Sequence, residues 1–229
     1  LFDEIKIYFN NEKTEIIFVD DGSNDRSLSI IEELYSNNHH VKYLSFSRNF
    51  GHQKALAAGL DHAMGDAVIS IDADLQHPPE LIPDMISHWE EGNEVVYTIR
   101  SSTKGATFIK NFTASLFYKI VNLMSSVKIV PGASDFRLID RKVRNVLTNH
   151  KERERFYRGM VQWVGFRQIA VEFNADARFA GESGYSMRKM FAFALEGLLS
   201  YSYVPIYLVI LLSTFLVLFA IGYMVFALF

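Results

Sequence analysis

Residues 67–77 form the stretch Ala67-Val-Ile-Ser-Ile-Asp-Ala-Asp-Leu-Gln-His77, an apolar run that ends in two carboxylates two residues apart. The apolar part predicts a buried strand, and a turn at its end can direct Asp72, Asp74 and the Gln76 carbonyl towards one cation. Hard oxygen ligands of this kind suit Mg²⁺ or Mn²⁺, and such a cation neutralises a leaving diphosphate. The stretch therefore predicts a metal site for a sugar nucleotide, with a merely polar strand end as the alternative.

A second predicted strand, upstream, also ends in carboxylates. The run Glu15-Ile-Ile-Phe-Val19 predicts a short, buried, parallel strand, and the acidic turn Asp20–Asp25 and a helix follow it. In open α/β sheets, ligands bind beyond the carboxyl ends of the strands, so Asp20 or Asp21 can accept hydrogen bonds from a base or a ribose. Ser23 is a further candidate for nucleotide binding, although it can instead only cap the helix.

The third predicted strand, Val41–Phe46, leads into the segment Ser47-Arg-Asn-Phe-Gly-His-Gln-Lys54. This segment places a glycine, two cations and amides at a strand end. Gly51 and Arg48 can therefore help to hold a diphosphate, or they can serve loop geometry alone. The chain contains neither G-x-G-x-x-G nor G-x-x-x-x-G-K-[ST], which argues against a dinucleotide dehydrogenase and a P-loop NTPase.

With these motifs in this order, the chain resembles glycosyltransferase family 2, and within it the polyprenyl-phosphate glycosyltransferases. The resemblance spans nearly the whole chain and rests on Val19–Asp25, Ser47–Gly51, Asp72–Glu80, Gly132–Arg141 and Arg178–Tyr185. It implies a GT-A fold, which is an α/β fold of the Rossmann-like kind with a mostly parallel sheet. It also implies a nucleoside-diphosphate sugar as donor, with UDP-glucose favoured, and a polyprenyl phosphate such as undecaprenyl (bactoprenol) phosphate as acceptor.

The resemblance also assigns roles to single residues. It implies a divalent metal, Mg²⁺ or Mn²⁺, at Asp72, Asp74 and Gln76, and Asp72 is expected to contact the donor as well. Asp135 takes the position of the catalytic carboxylate. Because a phosphate oxygen of the acceptor is largely anionic at pH 7, it hardly needs a base. Its direct attack on the sugar would invert the anomeric centre.

Two arginines are candidate phosphate clamps, because a guanidinium binds phosphate oxygens in a bidentate fork. They are Arg137 and Arg178. The alternative for Arg137 is a plain ion pair with Asp135.

The chain departs from the family at its start and in its last motif. The family usually opens with an apolar strand, whereas this sequence begins at Leu1 without Met, so the first strand is expected to be missing from it. Ser183 is a candidate donor contact, and the family often has Lys after it. This chain has Gly184 there, and Arg188 or Lys189 can take the place of that Lys.

The C-terminal part of the chain predicts a membrane anchor. Residues 204–229 contain no charged side chain, and about 20 apolar residues suffice to cross a bilayer as a helix. Residues 186–203 combine cations with apolar side chains, as an amphipathic interface helix does. We therefore expect a catalytic domain over 1–185, an interface helix over 186–203 and a transmembrane helix over 204–229. The resemblance implies a second membrane helix after it, which would make a multi-pass hairpin. The positive-inside rule places the catalytic domain on the cytoplasmic face of the inner (plasma) membrane.

Composition and charge narrow the classes of partner. The absence of cysteine excludes disulfides and thiolate metal ligands. Residues 1–100 hold 18 acidic and 7 basic side chains, whereas residues 101–229 hold 8 acidic and 16 basic ones. The acidic half suits a cation-dependent donor site, and the basic half suits a lipid bilayer with anionic headgroups or a lipid phosphate. Nucleic acid is not an expected partner, because the chain is not net basic and lacks aromatic stacking motifs.

Three alternative functions follow from the same motifs. A transferase of the same fold can use another acceptor, although the Q-x-x-R-W of processive synthases has only Arg158–Trp163 as its nearest match. A metal-dependent nucleotidyltransferase can also use paired carboxylates, but it would release pyrophosphate. The third is a catalytically inactive binding module, against which the presence of Asp72, Asp74 and Asp135 argues. The sequence is compatible with a homo-oligomer without fixing the number of subunits.

Overall fold

The computed structural model describes residues 1–9, 13–100, 130, 132–150, 157–173 and 204–228. The chain forms two compact units, of which one comprises Leu1–Ala106 with Val130–Glu182 and the other Thr107–Ile129 with Ser183–Phe229. The interface helix expected over 186–203 lies outside the described residues, as do both of its boundaries. Arg178 and Ser183 also lie outside them.

The first unit opens with helical turns and a β-α-β element. Helix α1 spans Phe2–Ile5 and continues as a 3₁₀ turn over Lys6–Tyr8. Strand β1 spans Ile16–Asp20, helix α2 spans Ser27–Asn37 and strand β2 spans Val41–Ser45. The two strands pair in parallel, so their carboxyl ends lie at one edge.

Two further strands and two helices follow in alternation. Helix α3 spans His52–His62 and strand β3 spans Ala67–Ser70. A 3₁₀ turn over Pro79–Leu81 leads into helix α4, Ile82–Glu90, and strand β4 spans Val95–Arg100. Proline at the start of a helix is favourable because the first turn does not need its N–H.

Strand β5 spans Ala133–Asp140 and runs directly into helix α5, Arg141–Asn149. The helix starts there because the Asp140 carboxylate accepts a hydrogen bond from the Lys142 N–H at 2.7 Å. Helix α6 spans Tyr157–Trp163 and strand β6 spans Gln168–Phe173.

The larger sheet has four strands in the order β3-β5-β4-β6. Strands β4 and β6 pair in parallel, whereas β5 is antiparallel to both β3 and β4. Three of the four strands therefore run in one direction, and the expected mostly parallel sheet has β5 as its exception. Ile99, near the end of β4, pairs with Ala133, the first residue of β5. The chain therefore re-enters the sheet at the end where β4 left it, so β5 runs antiparallel to β4 and no crossover connection is needed.

One apolar core joins both sheets of the first unit. Val96, Phe136 and Leu138 of the larger sheet belong to the same buried cluster as Ile82 and Met85 of α4. The cluster continues to β1 and β2 through Ile16 and Val41. Burying one such side chain contributes about 1.5 to 3 kcal/mol, so this core fixes the strand ends relative to one another.

Helix α7 spans Val204–Leu228 and belongs to the second unit. Its segment Ile206–Leu228 is long and apolar enough to cross a membrane, and its side chains are exposed. A helix of 25 residues is about 37 Å long, which exceeds the roughly 30 Å of a bilayer core. The expected transmembrane helix is confirmed as a candidate anchor. Within the described residues it is the single such helix, and they contain no second helix of a hairpin.

Candidate active site

The antiparallel pairing of β3 with β5 brings two predicted site segments together. Ser70 lies opposite Arg137 in the register, and its hydroxyl donates a hydrogen bond to the backbone oxygen of Asp135 at 2.5 Å. The loop that begins at Asp72 therefore starts beside Asp135, although the two carboxylates are far apart in sequence. This juxtaposition agrees with a single site made from the Asp72 loop and β5.

Each oxygen of the Asp135 carboxylate has its own partner. Oδ1 lies 3.3 Å from the Arg137 guanidinium, and Oδ2 lies 3.0 Å from Nε2 of His52. The Asp135 side chain is only 2% exposed. A buried carboxylate requires such partners because an unpaired buried charge is strongly unfavourable.

Arg137 is buried beside Asp135. Its guanidinium also donates a hydrogen bond to the backbone oxygen of Ser134 at 2.7 Å, and the whole residue is 5% exposed. The arrangement is the ion pair that the sequence left open as the alternative. A phosphate contact by Arg137 remains a prediction.

Asp72 lies between two imidazoles. Its Oδ1 is 3.8 Å from Nδ1 of His52, and its Oδ2 is 3.8 Å from Nδ1 of His77. His77 packs against the rings of Phe136 and Phe173, with centroid distances of 5.3 Å and 5.8 Å. Within the described ranges, its buried Nδ1 has no hydrogen-bond partner. The sequence did not single out either histidine, because each carries its signal only when the strands are placed side by side.

Burial favours the neutral form of His77. Burial lowers the pKa of His77 below its ordinary value and outweighs the carboxylates of Asp72, Asp74 and Asp135, which raise it. A neutral imidazole beside Asp72 leaves the negative charge of that carboxylate available to a cation.

The loop after Asp72 is a tight turn. Oδ1 of Asp74 accepts a hydrogen bond from the Gln76 N–H at 3.1 Å, and Leu75 between them has a positive φ of 59°. The oxygens of Asp72, Asp74 and Gln76 are hard donors of the kind that Mg²⁺ and Mn²⁺ take. Among the residues of the described ranges, no three His, Cys, Asp or Glu side chains already converge on a metal position. The donor set thus fits a divalent cation in chemistry, with ligands from a diphosphate to complete it.

The acidic turn after β1 is joined to the loop after β2. The Asp21 carboxylate accepts the backbone N–H groups of Phe50 and Gly51 at 2.7 Å and 2.9 Å. A Cβ atom on Gly22 would lie 2.4 Å from the backbone carbon of Arg48, so only glycine allows this close approach. Asp21 therefore positions the loop that contains Gly51.

Asp20 and Ser23 lie in the same turn. The buried Asp20 carboxylate accepts the Ser23 N–H at 3.3 Å and the Ser45 hydroxyl at 3.5 Å. Ser23 is exposed, and just before α2 the Asp25 carboxylate accepts the Ser27 N–H at 2.9 Å. Nucleotide contacts by Asp20, Asp21, Ser23 and Gly51 remain predictions.

The parallel β-α-β elements, the carboxylates at strand ends and the inserted antiparallel strand define a GT-A fold. Two solved structures share it: Staphylococcus aureus TarS 1-349 in complex with UDP-GlcNAc and Mycobacterium tuberculosis glucosyl-3-phosphoglycerate synthase in complex with UDP. The first has a TM-score of 0.54 at 17% identity and covers 83% of this chain and 58% of that one. The second has a TM-score of 0.54 at 18% identity, and the match covers 87% of this chain and 73% of that one. Identities this low show the fold alone.

Residues 4–147 match the family described as glycosyl transferase family 2, and this chain belongs to that family. It is 48% identical over 195 residues to the Bacillus subtilis protein named "Uncharacterized glycosyltransferase YkcC", covering 85% of this chain and 60% of the relative. It is 43% identical over 205 residues to the "Bactoprenol glucosyl transferase" of Shigella phage SfV, covering 90% and 66%. The chain thus spans about 60% to 66% of the length of these relatives. The predicted family is confirmed.

Proposed function

We propose that this protein transfers a hexose, with glucose favoured, from a nucleoside-diphosphate sugar to a polyprenyl phosphate, with inversion at the anomeric carbon. The observation that carries the proposal is the β3–β5 pairing, which brings Asp135 beside the Asp72 loop. Relatives named bactoprenol glucosyl transferase, at 43% identity over 90% of this chain, support the lipid-linked acceptor.

On the donor side, the Asp72 loop and the joined turns after β1 and β2 surround the diphosphate. Asp72, Asp74 and Gln76 would hold Mg²⁺ or Mn²⁺, which would neutralise charge on the leaving diphosphate. Asp20, Asp21, Ser23 and Gly51 are proposed to bind the nucleotide part of the donor, and Ser183 is proposed to contact it as well.

On the acceptor side, a phosphate oxygen of the lipid attacks the anomeric carbon as the bond from that carbon to the diphosphate oxygen breaks. The nucleoside diphosphate leaves with the bonding electron pair, and no proton has to move because the attacking oxygen is already anionic. Asp135, held in place by its two partners, supplies a fixed negative charge that stabilises the positive charge developing on the sugar. Arg178 and Arg137 are each proposed to bind a phosphate, and Arg137 also holds the Asp135 carboxylate.

The proposed acceptor is a membrane lipid, and helix α7 is a suitable anchor for an enzyme that uses it. A length of about 37 Å allows a single span with some tilt. We propose that the catalytic domain works at the cytoplasmic face of the membrane. Nucleotide sugars are made on that side, and Lys and Arg residues that flank a transmembrane helix stay on that side.

The deciding experiment supplies the protein, in detergent, with undecaprenyl phosphate, Mg²⁺ or Mn²⁺ and radiolabelled UDP-glucose, GDP-mannose or UDP-GlcNAc. Transfer of label from one donor into the organic phase, with release of a nucleoside diphosphate, is expected. Undecaprenol serves as the matched control, because it lacks the anionic nucleophile. Labelling of that alcohol, or of a soluble sugar, would overturn the lipid-phosphate proposal, and release of pyrophosphate would indicate a nucleotidyltransferase.

A further inference from the structure

His52 lies between the two carboxylates that define the site. It is the first residue of α3 and follows Gly51, whose φ is 100°. Its Nε2 lies 3.0 Å from Asp135 Oδ2, and its Nδ1 lies 3.8 Å from Asp72 Oδ1. One ring thus borders both the strand that carries Asp135 and the loop that starts at Asp72.

The hydrogen bond to Asp135 fixes which of the two ring nitrogens of His52 carries the hydrogen. An ionised carboxylate only accepts hydrogen bonds, so Nε2 of His52 has to be the donor. Because Arg137 contacts Oδ1 and His52 contacts Oδ2, the carboxylate is held at both oxygens, once from its own strand and once from α3. Removing one of these donors deletes a hydrogen bond to a buried carboxylate, which is unfavourable.

We propose that His52 is a positioning residue of the transferase, which holds the Asp135 carboxylate in its working orientation through the Nε2–H. This inference rests on the proposed function and adds a residue to it. The same ring also borders the donor-side loop, with Nδ1 lying 3.8 Å from Asp72 Oδ1. Arg137 cannot replace it, because that guanidinium approaches the other oxygen.

Two substitutions separate the Asp135 contact from any other role of His52. Counted from Cβ, the amide nitrogen of Gln lies as many bonds away as Nε2 of His, whereas the amide nitrogen of Asn lies as far as Nδ1. His52→Gln therefore keeps a donor within reach of Asp135. His52→Asn keeps a polar group of the same kind on the Asp72 side and loses that donor.

The experiment measures kcat and both KM values of the full chain in detergent, with radiolabelled UDP-glucose and undecaprenyl phosphate. His52→Gln is expected to retain most of the wild-type kcat. His52→Asn is expected to lower kcat roughly 10- to 100-fold, as for the loss of one charge-assisted hydrogen bond. The KM for UDP-glucose and the affinity for UDP should stay at wild-type values in both variants, whereas the melting temperature should fall in His52→Asn alone. Equal losses of kcat in the two variants, or no loss in His52→Asn, would overturn the inference.

A second measurement needs no turnover and so separates this inference from the proposed function. In protein labelled with ¹⁵N-histidine, the signals of His52 are identified by their loss in His52→Gln. The Nε2–H tautomer is expected, and the Nδ1–H tautomer would overturn the inference whether or not the protein labels a lipid. Failure of the wild type to label undecaprenyl phosphate would instead count against the proposed function alone.

Discussion

Leu75 is, within the described part of the chain, the one residue other than glycine with a positive φ. A left-handed conformation costs a residue with a side chain roughly 1 to 2 kcal/mol, and such conformations concentrate at functional sites. Here it closes the turn in which Asp74 accepts the Gln76 N–H. The turn at Leu75 thus keeps two proposed metal ligands close together.

Asp74→Asn is expected to abolish Mn²⁺-dependent binding of UDP while leaving the fold intact. The amide oxygen of Asn can still accept the Gln76 N–H, so the turn persists, but the negative ligand is lost. Calorimetry of UDP binding with and without Mn²⁺ measures the first effect, and thermal unfolding measures the second. Asp84→Asn on the exposed face of α4 is the matched control. Unchanged Mn²⁺ dependence in Asp74→Asn would remove Asp74 from the metal site.

Gly22 and Gly51 are expected to differ in their tolerance of alanine, although both have positive φ. A Cβ on Gly22 would meet backbone atoms of Arg48 and Asn49 at 2.4 Å and 2.7 Å, whereas one on Gly51 would meet nothing within 4 Å. Gly22→Ala should lower the free energy of unfolding by roughly 2 to 5 kcal/mol, from backbone strain and overpacking. Gly51→Ala should lower it by about 1 to 2 kcal/mol, from strain alone. Denaturant unfolding of the two variants side by side tests this order, and similar values would contradict it.

At the scale of elements, Glu15 ties three segments together. Its carboxylate lies 2.6 Å from Nζ of Lys42 on β2 and accepts the N–H of Met64 between α3 and β3. Partial burial raises the pKa of Glu15, but the hydrogen bonds from Lys42 and from the Met64 amide outweigh it and bring the pKa below its ordinary value of 4.5. The ionised form is therefore favoured by folding.

A lowered pKa makes the contribution of Glu15 depend on pH in one direction. Its stabilisation is fully present above about pH 4.5 and is lost as the pH falls through the pKa of the folded state. Glu15→Gln should therefore melt below the wild type at pH 7, and the difference should shrink as the solution is acidified towards about pH 3. Melting curves of both proteins across this range test the prediction. A difference that stays constant with pH would show that the Glu15 charge does not matter.

The strands predicted from apolar runs are close to the observed ones, because a short apolar run in the sequence is enough to indicate a buried strand. The strands expected at 15–19, 41–46 and 67–71 are found at Ile16–Asp20, Val41–Ser45 and Ala67–Ser70. By contrast, the antiparallel course of β5 depends on pairing with strands far away in sequence. The contacts of His52 with Asp135 and of His77 with two phenylalanine rings also join segments far apart in sequence, so neither histidine could be recognised from local pattern.

At the scale of the whole molecule, the basic half of the chain has partly structural uses. Arg141 donates hydrogen bonds to the backbone oxygens of Met64 and Gly65 at 3.0 Å and 3.2 Å, and Arg144 donates to that of Ala63. Two of the cations in the basic half of the chain thus bind backbone carbonyls just after α3. Charge counted along a sequence does not distinguish such contacts from an open basic surface.

The membrane role of α7 is testable at its midpoint. Leu216 lies in the middle of the helix and is exposed, so Leu216→Arg would place a charge in the hydrocarbon at a cost of about 2.5 to 3.5 kcal/mol. The variant is expected to shift from the carbonate-resistant membrane fraction to the soluble or aggregated fraction. Leu216→Ile is the matched control. Equal membrane retention of Leu216→Arg would argue against a single span centred on this residue.

The position of β5 in the sheet affects how the chain folds while it is being synthesised. Among the described strands, β3 and β4 are connected only through β5, which is made more than 30 residues after β4 ends. A ribosome adds about 5 to 20 residues per second, so β3 waits for seconds with both edges open and exposed to other chains. The sheet can close only when residues 133–140 have left the exit tunnel. We expect stalled nascent chains ending before residue 133 to be digested readily at β3 by added protease. Chains long enough for residues 133–140 to have left the exit tunnel should resist, and equal digestion would show that another segment protects β3 earlier.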